Sequence, residues 1–304
     1  MNDLPDSLKL SKISIPGTHD SATQHALGVC TSIGAGYCLT QHMKIPEQLS
    51  AGIRFFDIRL KQDSTDKKKF YIYHDRAYLD ITLKEVLEIF KAFLKQHPTE
   101  VIILSYQNND HDDVHDWFDF TSVVRQYSGP PHNLICLKSE CKDQTFTPTL
   151  GQVRGKVVLL NFMEVTAPGS RAFRKYKLDE IERTVENTWK RPEVGIIDFN
   201  VCHSIGCKPP NGKRCGVREY LNRLEQNIAK AGEISIPDRF YITYSSYAPA
   251  NDPCRNTVEK ELLKTLNNQK AKNSSFGTGV IVMDFPSREM INTIIRFNYQ
   301  GTAD

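Results

Sequence analysis

Ile13-Ser14-Ile15-Pro16-Gly17-Thr18-His19-Asp20 is a short apolar run that ends abruptly in a histidine and a carboxylate. Two later segments repeat the design. Arg54-Phe55-Phe56 leads into Asp57-Ile58-Arg59, and Phe70-Tyr71-Ile72-Tyr73 stops at His74-Asp75. Five further runs, at 100–106, 156–161, 194–198, 239–244 and 279–284, are short, rich in β-branched residues and almost continuously apolar. Strands buried on both faces read this way, because neither face needs polar residues. Eight such runs are counted along the chain.

Helical signals fall between many of them. Thr82-Leu83-Lys84-Glu85 has the form of a capping box. Leu83, Val86, Leu87, Phe90 and Leu94 follow at helical spacing, and Pro98 ends the run. Residues 47–51 form a short helix closed by Gly52. Further helices are expected at 178–189, 217–231, 258–266 and 290–297. The links after the first strand, and from the second strand to the third, carry no clear helical pattern. Alternating strands and helices predict an α/β protein, a single-domain (β/α)8 TIM-type barrel spanning residues 1–304, with irregular parts. A doubly wound open sheet is the alternative, but it would spread the strand ends along a line. In a barrel the C-terminal strand ends converge, and His19, Asp20, Asp57, Arg59, His74, Asp198 and Asp284 all lie at such ends.

Composition narrows the function. With 39% hydrophobic and 25% charged residues, the 304-residue chain is ordinary for a globular protein. A net charge of +3 argues against nucleic acid as a partner and permits only weak attraction to an anionic membrane. No apolar run approaches the roughly 20 residues of a membrane-spanning helix. The first six residues, Met1-Asn2-Asp3-Leu4-Pro5-Asp6, lack a basic region and an apolar core, so they are not expected to form a signal peptide.

Eight cysteines stand at 30, 38, 136, 141, 202, 207, 215 and 254. Their even number and close spacings suit local disulfides, for example Cys30 with Cys38 and Cys136 with Cys141. Oxidation favours a secreted or extracellular location over a cytoplasmic one. Cys202, His203, Cys207 and Cys215 lack paired zinc-ligand spacing and read as a stapled loop.

Two histidines and a fixed cation at one end of a sheet are the equipment for moving a phosphoryl group without a metal: a base, an acid and a positive charge. At this point the motifs meet a family. Ser14-Ile15-Pro16-Gly17-Thr18-His19-Asp20-Ser21 resembles the opening motif of the phosphatidylinositol-specific phospholipase C X-domain family, bacterial type. Ala51-Gly52-Ile53-Arg54-Phe55-Phe56-Asp57-Ile58-Arg59 resembles its second motif. Tyr73-His74, Leu79 and the capped helix resemble the third, and Val282-Met283-Asp284-Phe285-Pro286 resembles the last strand.

The resemblance implies cleavage of phosphatidylinositol by attack of the inositol 2-hydroxyl on phosphorus, giving diacylglycerol and inositol 1,2-cyclic phosphate. It implies His19 as general base and His74 as general acid. Asp284 would hold His19 in one tautomer, and Asp20 would pair with His74. Arg59 would bind the non-bridging phosphate oxygens, with Asp57 orienting it. The partner would be a membrane phospholipid met by peripheral contact, and the protein would act as a monomer. No cofactor and no metal are expected. Calcium needs about six to eight oxygen ligands, and Arg59 would put a guanidinium where calcium-dependent relatives gather carboxylates.

Some positions depart from the family pattern. Gln107 stands where a lysine can occur, Asn161-Phe162 where an arginine can contact inositol, and Asn200 where a tyrosine can stack. Asp198 matches a pocket aspartate, so Asp198 and Gln107 are the expected substrate contacts. Asp75 follows His74 where glycine is common. These departures leave a glycosylated phosphatidylinositol anchor open as the substrate. The loop Asp110-His111-Asp112-Asp113-Val114-His115-Asp116 lacks calcium-loop spacing and reads as solvated. Lys67-Lys68-Lys69 reads as an exposed hairpin edge. Two rivals stay open: a metal-dependent glycerophosphodiesterase or sphingomyelinase-D-like enzyme, which needs a carboxylate cluster, and a non-catalytic lipid-binding relative, which would be expected to lack a histidine.

Overall fold

The structure, a computed structural model, describes residues 1–108, 118–136, 148–161, 194–197, 225, 228–229, 240–245, 254–272 and 277–299. Its strands are β1 (Ile15–Thr18), β2 (Phe55–Gln62), β3 (Phe70–His74), β4 (Ala77–Thr82), β5 (Ile102–Asn108), β6 (Ile135–Cys136), β7 (Val157–Asn161), β8 (Val194–Ile197), β9 (Phe240–Tyr244) and β10 (Val280–Met283). Eight of them run parallel in the order β6-β7-β5-β2-β1-β10-β9-β8. Among the described residues no pairing joins β6 to β8, so the barrel is distorted and left open at that seam.

The expected third barrel strand is a correction. β3 pairs antiparallel with the upper half of β2, Leu60 opposite Ile72, and β4 pairs antiparallel with β3. The cause lies in β2. It is eight residues long and overshoots the parallel sheet, so its free upper edge takes a hairpin partner. The eighth parallel strand is instead β6, a two-residue element too short to leave a periodic signal.

Among the described residues, the α-helices are α1 (Leu27–Cys38), α2 (Ile45–Ala51), α3 (Leu83–Gln96), α4 (Phe118–Ser128), α5 (Leu150–Val153), α6 (Cys254–Lys272) and α7 (Arg288–Arg296). The Thr82 capping box is formed: Glu85 N donates to Thr82 Oγ1, and Thr82 N donates to Glu85 Oε2 at 2.8 Å. Gly52 closes α2 with φ 106°, a conformation that favours glycine. The link after β1 is less irregular than expected, since it contains α1. Cys30 and Cys38 are joined by a disulfide with Cα atoms 5.0 Å apart. The expected helices at 178–189 and 217–231 lie largely outside the described residues.

Strand alternation separates two environments. Ile15, Phe55, Ile103, Val158, Leu160, Ile242, Val280 and Val282 pack together inside the barrel. Phe56, Ile58, Leu60, Leu104, Ile281 and Met283 face the helices. Gly17 lies on the inner face beside Phe55, and a Cβ there would sit 2.9 Å from the Phe55 ring. Continuing the inner face upward leads from Ile15 to His19, from Phe55 through Asp57 to Arg59, and from Val282 to Asp284. The interior is therefore apolar below and ionic above.

Candidate active site

His19 follows β1 directly, and its N–H donates to Met283 O of β10 at 3.0 Å. The chain then turns sharply at Asp20, whose φ is 41°. This turn is held from several sides. Thr40 Oγ1 and Gln41 Nε2 donate to His19 O at 2.9 and 2.8 Å. Gln41 Nε2 also lies 2.9 Å from Met283 O, tying β1 to β10. Ser21 Oγ accepts from Asp57 N at 2.9 Å, and Thr18 Oγ1 donates to Gln48 Oε1 at 2.7 Å. Asp75 after His74 and Phe285 after Asp284 also have positive φ, 51° and 46°. Three site residues are thus each followed by a left-handed residue that reverses the chain. The glycine common after this histidine in the family, and the aspartate here, both suit that conformation.

Asp20 is the hub. Its Oδ1 lies 2.8 Å from Arg59 Nε, and its Oδ2 lies 3.2 Å from His74 Nε2 and 3.1 Å from His19 Nε2. Its carboxylate is almost wholly buried. His19 Nδ1 faces Asp284 Oδ1 at 2.9 Å, as expected for a carboxylate that sets the tautomer. His74 Nδ1 donates to the carbonyl of Cys38 at 2.9 Å. The structure therefore brings His19, Asp20, Arg59, His74 and Asp284 into one ion-paired cluster. Asp57 sits beneath it, accepting Asp20 N at 3.5 Å, and is 2% exposed. Asp20, expected to pair with His74, also pairs with the Arg59 guanidinium, and the Arg59 charge acts on Asp57 as well.

The electrostatics follow from crowding. Burial opposes charge on Asp20, but Arg59, His74 and His19 overcome it and hold its pKa at about 2. Burial and the Asp20 charge push Asp57 up to about 6, with Arg59 and His19 opposing. Burial resists charging His19, yet Asp20 and Asp284 outweigh it and raise its pKa to about 9, with Arg59 pulling back. His19 Nε2 has two partners at 3.1 Å, Asp20 Oδ2 and an Arg59 terminal nitrogen. Protonated, it donates to Asp20. Deprotonated, it accepts from Arg59. The edge of Tyr244 borders the same ring, with ring centres 6.1 Å apart.

His19, Asp20 and Asp57 are the described residues able to share a metal ion, with ligand atoms within 4.8 Å of one another. A cation there would face the Arg59 guanidinium already bonded to Asp20. Like charge at that distance disfavours a divalent ion.

Of the expected substrate contacts, Gln107 stands opposite Arg59 in the β2/β5 register, and Asp198 lies outside the described residues. The loop at 110–116 and the Cys202–Cys215 region also lie outside them. Lys67, Lys68 and Lys69 are exposed next to β3, as expected of a hairpin edge. The Cys30–Cys38 pairing is formed, and Cys136 is disulfide-bonded as well. Sequence reading missed the Cys38 carbonyl, Thr40 and Gln41. A backbone acceptor leaves no sequence signal, and two polar residues after a cysteine look like ordinary loop.

Comparison with known proteins agrees with this geometry. Residues 14–162 match the family model described as Phosphatidylinositol-specific phospholipase C, X domain. A 1-phosphatidylinositol phosphodiesterase of Listeria monocytogenes is 28% identical over 302 residues, covering 98% of this chain and 84% of the relative. A Staphylococcus aureus protein of the same name is 26% identical over 295 residues, covering 94% of this chain and 87% of the relative. The solved structure of the phosphatidylinositol-specific phospholipase C from Listeria monocytogenes superposes with a TM-score of 0.72 at 24% identity, covering 98% of this chain and 97% of that one. With its motifs, barrel and ion-paired histidines in place, the chain matches the phosphatidylinositol-specific phospholipase C X-domain family over residues 14–162 and is similar over nearly its whole length to bacterial 1-phosphatidylinositol phosphodiesterases.

Proposed function

We propose that this protein is a phosphatidylinositol-specific phospholipase C that works without a metal. The observation that carries this reading is Asp20 shared among Arg59, His74 and His19. The inositol 2-hydroxyl gives its proton to His19 Nε2 as its oxygen bonds to phosphorus. The phosphorus–oxygen bond to diacylglycerol breaks, and that oxygen takes the proton from His74 Nε2. Inositol 1,2-cyclic phosphate and diacylglycerol leave. Arg59 counters the charge that builds on the non-bridging oxygens, and its fork suits two of them at once. Asp284 keeps the His19 Nδ1 proton in place, so Nε2 is the nitrogen that receives. Because Asp20 and Asp284 raise the His19 pKa to about 9, the cycle starts from the minority of molecules with neutral His19 at neutral pH.

The substrate is a lipid in a membrane, met by peripheral contact of a monomeric, single-domain chain. The lipid substrate is supported by similarity to 1-phosphatidylinositol phosphodiesterases, and the peripheral contact by likeness to a Staphylococcus aureus phosphatidylinositol-specific phospholipase C studied for its membrane binding. The Cys30–Cys38 bridge and the oxidised Cys136 support action outside the cytoplasm. Phosphorus NMR of phosphatidylinositol vesicles incubated with the protein in excess chelator tests the reading. Inositol 1,2-cyclic phosphate is the expected product. Turnover that stops in chelator and returns with calcium would overturn the metal-free reading and favour a metal at His19, Asp20 and Asp57.

A further inference from the structure

The segment from Cys38 to Gln41 reaches His19, Asp20 and His74 of the ionic cluster, and the neighbours of Asp284, through backbone-directed bonds. Cys38 O accepts from His74 Nδ1 at 2.9 Å. Thr40 Oγ1 reaches both His19 O and Asp20 O, at 2.9 and 3.1 Å. Thr40 O accepts from Phe285 N at 2.8 Å, next to Asp284. Gln41 Nε2 bonds His19 O and Met283 O. The segment belongs to no strand. It leaves the end of α1, where Cys38 is covalently joined to Cys30, and both cysteines are buried. Thr23 Oγ1 adds a second tie, accepting from the N–H groups of Thr40 and Gln41, both at 3.1 Å.

We propose that the Cys30–Cys38 disulfide is a positioning element for the general acid: it fixes the Cys38 carbonyl that holds the His74 Nδ1 proton. This rests on His74 acting as the acid. An imidazole has two nitrogens, and only one faces the reaction. With Nδ1–H committed to a carbonyl, the transferable proton of the imidazolium sits on Nε2, the nitrogen 3.2 Å from Asp20. A hydrogen-bonded acceptor behind a ring fixes both its tautomer and its angle. Here that acceptor is a backbone oxygen on the bridged residue itself. If the Cys38 carbonyl drifts, Nδ1 loses its partner, and the ring can turn or carry its proton on the wrong side. Misplacement of a catalytic group by about 1 Å can cost on the order of 10²-fold in rate.

The test compares Cys30→Ser/Cys38→Ser with His74→Ala and with the unaltered protein. Two substrates are used, phosphatidylinositol and a nitrophenyl inositol phosphate, whose leaving group departs with little protonation. The bridge-free variant should lose about tenfold or more in kcat on phosphatidylinositol and less than about twofold on the nitrophenyl substrate, a muted copy of His74→Ala. The second readout is nitrogen NMR of the His74 ring. Once titrated to its neutral form, the ring should keep its proton on Nδ1 in the bridged protein, and the signal should shift toward a mixture of tautomers without the bridge. Equal loss on both substrates, whether from misfolding or from general loosening, would overturn the proposal, as would full activity on both with an unchanged His74 tautomer. If His74→Ala itself shows no preference between leaving groups, the acid assignment fails rather than the role of the bridge.

Discussion

Arg54 and Arg59 stand five residues apart, one just before β2 and one in its upper half, and both pair with a carboxylate largely shielded from solvent. Arg54 is saturated. Its Nε donates to Glu100 Oε2 at 2.7 Å, a terminal nitrogen donates to Leu49 O and Ile53 O at 2.8 and 2.9 Å, and the guanidinium lies over the Phe93 ring. Its carboxylate partner stands just before β5 and faces no histidine among its described contacts. Arg59 meets a carboxylate that two histidines also claim, and its side chain is 24% exposed toward the mouth of the barrel. One ion pair closes the base of the barrel. The other is divided among several charges, so it can rearrange when an anion arrives. The same chemistry thus serves stability at one end and reaction at the other.

The largest expected effect is on Arg59. Arg59→Lys keeps the charge but loses the planar fork, so turnover should fall by about 10² to 10³, with a much smaller change in KM and in thermal stability. Steady-state kinetics and a melting curve check it. Wild-type turnover would make Arg59 a rim residue and erase the contrast with Arg54. Arg54→Ala should behave in the opposite way. It leaves Glu100, whose side chain is 13% exposed, with the N-terminal ammonium of Met1 as its remaining cation, which should cost about 1 to 2 kcal/mol, while kcat of the folded fraction stays near wild type. Chemical denaturation with parallel activity measurement reads both quantities.

Neutralising one carboxylate at each end sharpens the comparison. Burial and the Asp20 charge push the Asp57 pKa up to about 6 from the ordinary 3.8 of an aspartate. Its burial therefore opposes folding when the group is ionised. The penalty is absent below the unfolded pKa, grows as pH rises toward 6, and is complete above it. Asp57→Asn should melt higher than wild type at pH 7, and the gain should vanish near pH 3. Glu100 has a lowered pKa: burial opposes its charge, and Arg54 more than compensates. Glu100→Gln should melt lower at pH 7. Two shifts of the same sign would show that the ends are not distinguished in this way.

The pH profile gives a further handle. If neutral His19 is the base, kcat/KM should rise with pH through the His19 pKa, about 9 in the free protein. Asp284→Asn removes one of the carboxylates that favour the imidazolium, so the midpoint should move to lower pH even as the maximum falls. A midpoint that stays put or moves higher would separate Asp284 from His19. The smallest effect is expected at Asp75, whose φ is 51°. Asp75→Gly should change stability by less than about 1 kcal/mol, whereas Asp75→Val should cost about 1 to 3 kcal/mol, because a β-branched residue is strained there.

Sequence made some of this architecture visible and hid the rest for physical reasons. Strands buried on both faces appear as unbroken apolar runs, so β1, β2, β5, β7, β9 and β10 could be found from the residues themselves. The length of β2 could not, because Arg59, Lys61 and Gln62 look like a strand's end when they are its upper half. That hid the antiparallel β3/β4 hairpin and placed His74 on a barrel strand it does not occupy. Two-residue β6 had no pattern to show. At the site, His19, Arg59, His74 and Asp284 were legible because the motifs carry them. Their wiring was less so. Which carboxylate holds Arg59, and that a cysteine carbonyl holds His74, depend on backbone turns at positive φ that a list of residues does not specify.

The two histidines around Asp20 have different tasks, and leaving-group dependence measures the difference directly. His19→Ala and His74→Ala should each lose at least about 10² in rate on phosphatidylinositol, the scale of a lost general base or acid. On a nitrophenyl inositol phosphate, His74→Ala should recover most of that loss, because the leaving group no longer needs its proton. His19→Ala should stay slow, because the 2-hydroxyl still needs a base. Recovery of both variants to the same extent, or of His19→Ala alone, would contradict the assignment of base to His19 and acid to His74.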